Sequence, residues 1–164
     1  MMGVVARRTT CTREGRRSGM DIATCRFGRL AIEPEDVIRF PAGILGLEDC
    51  TRWVLLADAQ NDALGWLQSL ERPEVALAVV APRRFVPDYQ VRVARRELEP
   101  LQFERVEDAR VLVIVGKAAH CNTLNLRAPL VFNIERRLAS QVVARGDLPL
   151  QYELPQPTLL KKSA

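Results

Sequence analysis

The composition describes one globular domain with an uneven charge distribution. The chain has 164 residues, 48% of them hydrophobic, which suffices for one core and leaves little room for a second domain. Its formal net charge of +4 comes entirely from the first 20 residues, since residues 21–164 carry 19 basic and 19 acidic side chains. A domain with balanced charge has no net attraction for phosphate, which argues against nucleic acid as a direct partner.

The two ends of the chain differ from its middle. Residues 1–19 contain five arginines and few apolar side chains, so we expect a disordered Arg-rich extension. Met20 opens the first strand-like stretch and is the expected natural start; a targeting peptide is a further reading of the extension. Residues 155–164 hold two prolines and two lysines and are expected to form a flexible tail. The single domain should therefore span residues 20–154.

Little in the sequence suggests a metal or cofactor. The four cysteines stand far apart with no metal or redox spacing, and His120 is the only histidine. We therefore predict no metal and no cofactor. The N-terminus has no apolar stretch of secretory length, and no apolar run approaches the ~20 residues that cross a bilayer. We expect a soluble, cytoplasmic protein with reduced thiols and no membrane partner.

Apolar side chains recur with period two, or continuously over short runs, which is typical of β-strands. In chain order these stretches are residues 22–32 (two strands around Gly28), 37–40, 52–58, 64–70, 75–81, 111–115 and 122–133. The turn-rich residues 59–62 predict a hairpin between 52–58 and 64–70. The stretches 75–81 and 111–115 are apolar on both faces, which predicts covered central strands.

Helix is scarce, and this limits the possible folds. Only residues 94–103 suggest a helical turn or two, and Pro100 should stop that helix early. The short connections exclude parallel crossovers, so about ten short strands must form a largely antiparallel sheet that curls to protect its edges. We predict a mostly β fold: a compact antiparallel β-barrel-like or sandwich domain with one or two short helical turns.

Asparagines stand in a stretch that otherwise resembles a buried strand. In "NLRAPLVFN", Pro129 cannot donate an N–H to a sheet, so it should interrupt the hydrogen-bonding ladder. Asn125 and Asn133 carry both donors and an acceptor, with which they can satisfy backbone groups freed at that break. No general base or nucleophile accompanies them, so we assign these three residues to fold geometry.

The segment "FPAGILGLED" (residues 40–49) has the chemistry of a tight turn that redirects the chain. Pro41, Gly43 and Gly46 alternate with apolar residues, which favours backbone conformations that other residues avoid. The segment lacks the lysine and hydroxyl of a phosphate loop. We assign the proline and both glycines to fold geometry, and expect valine at either glycine to impair folding if that glycine has positive φ.

An ordered set of motifs resembles one known family. In chain order these are "IRFPAGILGLED", "WLQSLERPEVALAVVAP", "PDYQV", "NLRAPLVFN" and "SQVV". Their order and separations are similar to those of the flagellar assembly factor FliW, over about residues 20–154. The chain departs from the family pattern at Leu47, Cys50 and Ala139, which are packing or turn positions.

The resemblance implies a binding protein and not an enzyme. FliW-like proteins bind flagellin and the RNA-binding translational regulator CsrA, which represses flagellin translation. Free FliW removes CsrA from messenger RNA, and unexported flagellin takes FliW away again. For this chain the resemblance implies a monomer with CsrA-type regulator and flagellin as partners. Candidate contact residues, chosen as polar or amphipathic groups at turns within these motifs, are Glu48, Asp49, Gln68, Asp88 and Tyr89.

Two other functions are compatible with a small barrel. Trp66, Tyr89 and the pair Arg83-Arg84 offer groups that can stack on a flavin and hold its phosphate, so a flavin- or other ligand-binding barrel is the alternative. An RNA-binding barrel would need a basic face with exposed aromatic side chains. The balanced charge and the 5% aromatic content do not favour it.

Overall fold

The computed structural model describes residues 19–155, which form eleven strands and short helical turns. The strands are β1 (Met20–Thr24), β2 (Gly28–Ile32), β3 (Val37–Arg39), β4 (Arg52–Ala57), β5 (Leu64–Ser69), β6 (Ala76–Val80), β7 (Arg110–Lys117), β8 (Asn122–Leu124), β9 (Leu130–Asn133), β10 (Leu138–Gln141) and β11 (Tyr152–Glu153). One α-helix, α1 (Arg95–Leu98), and 3₁₀ turns at Pro34–Asp36, Pro82–Arg84, Glu99–Leu101 and Val106–Asp108 complete the described chain. None of these helices is long and apolar enough to span a bilayer.

Seven of the strands close into a barrel. Their order is β7-β6-β5-β4-β3-β10-β9, and β9 pairs with β7 to complete the ring. Every pairing in the barrel is antiparallel except that of β10 with β3, which meet in parallel at the single residue pair Leu138 and Arg39. The expected mostly β, largely antiparallel fold is confirmed, and its form is the barrel rather than the sandwich.

Strand β7 is shared by three neighbours. Its first half pairs with β9 at Arg110–Leu112, and its middle pairs with β6 through Val113 and Ile114. Its last residues, Val115–Lys117, pair with β8, which in turn pairs with β11. The sheet therefore continues past the closed barrel as a two-stranded extension.

The barrel interior is filled by one cluster of apolar side chains. Alternate residues of each strand point inward, as the pleat requires. The buried members are Ile38, Phe40, Ile44, Cys50, Trp53, Leu67, Val79, Leu112, Leu130, Phe132 and Ala139. Phe40 stands edge-on to both Trp53 and Phe132, with ring centroids 6.1 and 5.7 Å apart. Cys50 and Ala139, two of the departures from the family pattern, are fully buried here, and Leu47 packs against the cluster.

Additional apolar clusters cover the outer wall of the barrel. The β1–β2 hairpin places Leu30 and Ile32 over Val54 and Leu56, the outward residues of β4. The hairpin turn also covers Trp66, because the guanidinium of Arg26 lies 3.7 Å from the centre of the indole. Both faces of β4 and β5 are therefore packed.

The helical prediction for residues 94–103 is realised only in part. α1 is four residues long and passes directly into the 3₁₀ turn that contains Pro100. Leu101 at the end of that turn is fully buried and packs with Val131 and Val142 on the outer wall. The predicted N-terminal extension and C-terminal tail lie outside the described residues, apart from Gly19 and Pro155.

The glycine turn offers a matched pair of substitutions. Gly43 and Gly46 have φ of 68° and 82°, but a Cβ on Gly43 would lie 2.5 Å from Cα of Glu48, whereas a Cβ on Gly46 would meet nothing within 4 Å. Gly43→Ala should lower the free energy of unfolding by about 2–4 kcal/mol, and Gly46→Ala by about 1 kcal/mol. Urea unfolding of the two variants measures this, and equal losses would contradict a steric role for Gly43.

Candidate protein-binding surfaces

The predicted contact residues divide into exposed and buried groups. Glu48, Asp49 and Asp88 are exposed. Gln68 is 0% exposed and Tyr89 4% exposed, so the expectation that these two lie at surface turns is wrong. Gln68 belongs to β5 and points away from solvent, and Tyr89 turns its ring into an outer-wall cluster.

The buried side chain of Gln68 stabilises the turn between β5 and β6. Its Nε2 donates to the carbonyls of Pro73 and Val75 at 3.2 and 3.0 Å, at the far side of the turn that joins β5 to β6. Its Oε1 is buried without a hydrogen-bond partner among the described residues. A buried amide of this kind stabilises a turn from beneath the surface.

Tyr89 performs a similar task on another segment. Its hydroxyl donates to the carbonyl of Leu126 at 2.7 Å, and its own carbonyl accepts from Nε of Arg83 at 3.1 Å. Burial raises the pKa of Tyr89 to about 12. Trp66, covered by Arg26, is not among the residues that line the groove beside Arg83 and Tyr89. Trp66 packs against the outer-wall cluster that contains Tyr89, but the three groups considered for a flavin site do not all line this groove.

The glycine turn carries a fixed, exposed apolar side chain. Ile44 and Leu47 form an isolated antiparallel bridge, which leaves Leu45 at the tip with 84% of its surface exposed. The N–H of Leu45 donates to Oε1 of Gln141 at 2.9 Å, and Nε2 of Gln141 donates to the carbonyl of Ala128. The tip is therefore tied to the β9–β10 region, and Leu45 is presented to solvent on a rigid support.

Acidic side chains surround this tip. Glu48 accepts the N–H of Gly46 at 2.9 Å, and this hydrogen bond lowers the pKa of its carboxyl group. Asp49 lies 3.9 Å from Arg72, which also pairs with Glu74 at 3.1 Å. We call Leu45, Glu48, Asp49, Arg72 and Glu74 the turn surface. It combines one apolar anchor with three carboxylates and one guanidinium, a chemistry that suits a partner with a basic rim around an apolar recess.

A second surface begins at the mouth of the barrel. A cavity of about 490 Å³ opens there, and its walls include interior residues that the barrel leaves partly uncovered. Its apolar lining consists of Leu55, Ala81, Val111, Leu112, Phe132 and Ile134. A groove of about 560 Å³ runs along the adjoining outer wall. Its aliphatic lining consists of Val91, Val93, Leu98, Val106, Ala109 and Val131.

These two cavities form one trough. Ala81, Arg110 and Val111 line both, so the apolar lining is continuous from the barrel mouth to the outer wall. Val106 stands at the rim with 63% of its surface exposed. A largely apolar trough, whose lining also includes charged residues such as Arg110, fits the apolar face of a helix or of an extended segment.

The asparagines act on the backbone at two different places. Oδ1 of Asn125 accepts the N–H of Ala128 at 3.0 Å, next to Pro129. Nδ2 of Asn133 donates to the carbonyl of Leu101 at 2.8 Å, and its Oδ1 accepts the N–H of Arg136 at 3.2 Å. Asn125 thus serves the break at Pro129 as expected from the sequence, whereas Asn133 joins the β9–β10 turn to a segment 32 residues earlier.

Two features of these surfaces escaped the sequence reasoning. Leu45 is not among the contact residues predicted from the sequence, although an apolar residue between two turn glycines is a signal for an exposed tip. The trough is not among the sequence predictions either, because residues 81–111 and 131–135 are distant in the chain and meet through the β7–β9 pairing and the Asn133–Leu101 hydrogen bond. Pro41 lies exposed at the start of the turn. Within residues 19–155, His, Cys, Asp and Glu side chains form no group of three or more placed to hold a metal.

A closed seven-stranded barrel with a rigid apolar tip and an apolar trough defines a small β-barrel domain with two candidate protein-binding surfaces. The family model described as FliW protein matches residues 21–154. The flagellar assembly factor FliW of Bdellovibrio bacteriovorus is 38% identical over 130 residues, which cover 78% of this chain and 74% of that protein. That of Syntrophus aciditrophicus is 35% identical over 138 residues, covering 82% and 87%.

The structural comparison agrees. A crystal structure of the flagellar assembly factor FliW matches with a TM-score of 0.76 and 29% identity, covering 84% of this chain and 99% of that one. The chain belongs to the FliW family of flagellar assembly factors.

The buried Tyr89 hydroxyl predicts a pH-dependent difference in stability. Tyr89→Phe should lower the free energy of unfolding by about 1–2 kcal/mol at pH 7, because the carbonyl of Leu126 loses its donor. Above pH 10 the unfolded tyrosine releases its proton while the folded one holds it up to about pH 12, so wild-type stability falls across this range. Phenylalanine does not ionise, so the stability of the Tyr89→Phe variant does not fall for this reason.

The difference in the free energy of unfolding between the wild type and Tyr89→Phe should therefore become smaller from pH 10 to 12. Urea unfolding at pH 7, 9, 10 and 11 tests this, since other alkaline titrations are common to both proteins and cancel in the difference. A gap that stays constant would show that the hydroxyl is not buried as described.

Proposed function

We propose that this protein binds both flagellin and a CsrA-type translational regulator, and relieves repression of flagellin translation by exchanging one partner for the other. Membership of the FliW family is the observation that carries this proposal. The two surfaces support it, because a protein that binds two partners needs a binding site for each of them. The protein acts without chemistry of its own, as a cytoplasmic monomer that binds proteins and not RNA.

The turn surface is assigned to the regulator. A protein that binds RNA carries basic side chains, and the three carboxylates of the turn surface complement them. The apolar tip supplies contact area that charge alone does not. Because Gln141 and the Ile44–Leu47 bridge fix the tip before binding, little conformational entropy is lost when the complex forms.

The trough is assigned to flagellin. An unpolymerised flagellin terminal segment is disordered and carries apolar side chains that need a cover. A trough with aliphatic walls can receive such a segment as an amphipathic helix, with its polar face toward solvent. Arg110, which lines both parts of the trough, is placed to pair with an acidic group on that face.

Calorimetric titration of the full chain tests the exchange. The chain is titrated with the CsrA-type regulator of the same organism, alone and after saturation with flagellin. We expect saturable binding to the regulator that flagellin abolishes. Regulator binding that persists unchanged in saturating flagellin would overturn the exchange, and the absence of heat with both partners would overturn the proposal as a whole.

Charge reversal separates the regulator surface from the rest. The double variant Glu48→Lys with Asp49→Lys should weaken regulator binding roughly tenfold and reduce its dependence on salt, because these charges steer association. Asp88→Lys is the matched control, since Asp88 is an exposed carboxylate outside the turn surface. Equal effects of both variants would indicate a general charge effect and contradict this assignment.

An apolar rim residue tests the flagellin surface. Val106→Asp should weaken flagellin binding roughly tenfold or more by placing a charge in the apolar trough, and leave regulator binding unchanged in the absence of flagellin. Leu150→Asp is the control, because Leu150 is 57% exposed and Val106 63%, and Leu150 is not among the trough-lining residues. Unchanged flagellin affinity in the Val106 variant, with native stability, would place flagellin elsewhere.

A further inference from the structure

A third cavity lies on the outer wall, with lining residues different from those of both surfaces described above. Its volume is about 600 Å³, and it is open to solvent between the β1–β2 hairpin, β3 and the β9–β10 turn. Four of its lining residues are arginines: Arg39, Arg52, Arg136 and Arg137. We call it the arginine pocket. It shares no lining residue with the trough.

Like charges stand close together in the arginine pocket. Arg39 and Arg52 stand directly opposite each other on the antiparallel pair β3–β4, where like charges are unfavourable. Arg52 pairs with Glu71 at 2.9 Å, and Arg136 with Glu104 at 3.5 Å. Arg39 and Arg137 make no ion pair within residues 19–155, so two guanidinium groups face the pocket region without an acidic partner there.

The same pocket contains the strained backbone of the described chain. Gln102 and Arg137 both have φ of 53°, and they are the non-glycine residues with positive φ within residues 19–155. Both line the arginine pocket. Each conformation costs about 1 kcal/mol and persists only where the surroundings impose it.

Asn133 imposes this arrangement together with one backbone bond. Its Nδ2 donates to the carbonyls of Leu101 and Gln102, while its Oδ1 accepts from the N–H of Arg136. The carbonyl of Arg137 accepts the N–H of Arg39 at 2.9 Å. Charge repulsion and backbone strain thus coincide at one concave site, which is typical of binding sites and costly for a surface without function.

We propose that the arginine pocket binds an acidic, aliphatic peptide segment of a partner protein. Guanidinium groups recognise carboxylates with paired, charge-assisted hydrogen bonds. The rest of the lining includes the aliphatic side chains of Ile32, Val37 and Leu138, which suit aliphatic side chains between the carboxylates. Carboxylates of a bound segment would offset the repulsion between Arg39 and Arg52. The relief of this repulsion adds to the binding energy.

The lining favours a peptide over RNA. No aromatic residue is among those that form the pocket, so unstacked bases find no platform there. The carboxylate of Glu33 at the rim also repels a run of phosphates. The site differs from the turn surface in sign of charge, and its ligand is therefore a different segment from the basic one proposed there.

Fluorescence polarisation with a synthetic peptide tests this inference. The probe is a fluorescein-labelled peptide of alternating glutamate and leucine, with a glutamine–leucine peptide of equal length for comparison. The wild-type full chain should bind the acidic peptide at least about tenfold more tightly than the neutral one. The double variant Arg39→Gln with Arg137→Gly should lose this preference, because both unpaired guanidinium groups are removed.

Stability distinguishes a binding site from a structural cluster. Arg39→Gln relieves the repulsion with Arg52, and glycine at 137 accepts φ of 53° without strain, so the double variant should melt at a higher temperature than the wild type. Arg145→Gln, which removes an exposed arginine that does not line the pocket, should change neither peptide binding nor melting temperature. The basic residues of 1–19 are present in all three proteins and cannot account for a difference.

Three results would overturn the proposal. One is equal binding of acidic and neutral peptides by the wild type, and another is undiminished acidic-peptide binding by the double variant. The third is tighter binding of a single-stranded RNA oligonucleotide than of the acidic peptide, lost in the same variant, which would identify the pocket as an RNA site. Because flagellin and the regulator are absent from this experiment, its outcome is independent of the exchange proposed above.

Discussion

Closure of the barrel depends on one strand that serves three neighbours. β7 is bound by β9 over its first residues, by β6 over its middle and by β8 over its last residues, so its backbone donors and acceptors are used on both edges. A sheet edge left open would attract other chains, and closure removes that edge from the barrel. Without the β7–β9 pairing, Phe132 would leave the interior cluster and the trough would have no second wall. The surface that we assign to flagellin is therefore a product of the same hydrogen bonds that complete the fold.

The barrel holds its connecting turns in fixed positions. Gly43 and Gly46 allow the chain to fold back on itself, and Gln141 on the neighbouring strand β10 holds the resulting tip. Leu45 can thus remain exposed on a fixed support, as a binding residue must be. Gln68 and Tyr89 contribute in a different manner: each anchors a connection between strands by hydrogen bonds to backbone carbonyls. Buried polar groups thus fix the position of the surface above them.

Local patterns predicted the strands and the glycine turn well, since period-two apolar sequences and turn residues act within a few positions of one another. The two-sided apolar run at 111–115 indicated the central strand β7. The sequence could not reveal that Gln68 is buried, because a polar residue in a strand gives no sign of which carbonyls lie beneath it. Nor could it reveal the arginine pocket, whose members Arg39, Arg52, Gln102 and Arg137 are brought together by register and by the Asn133 amide. Local sequence patterns do not predict which distant segments pair in the tertiary structure.

The pairing of β10 with β3 determines when the barrel can close during synthesis. These strands lie about a hundred residues apart in the chain and meet at one residue pair, Leu138 with Arg39. While the ribosome makes the protein, β3 to β6 can pair with one another as soon as they emerge, but the ring stays open until β9 and β10 follow. Gln141 reaches Leu45, and Phe132 reaches the interior, only at that stage. A nascent chain thus presents neither complete surface until its translation has passed the last strand of the barrel.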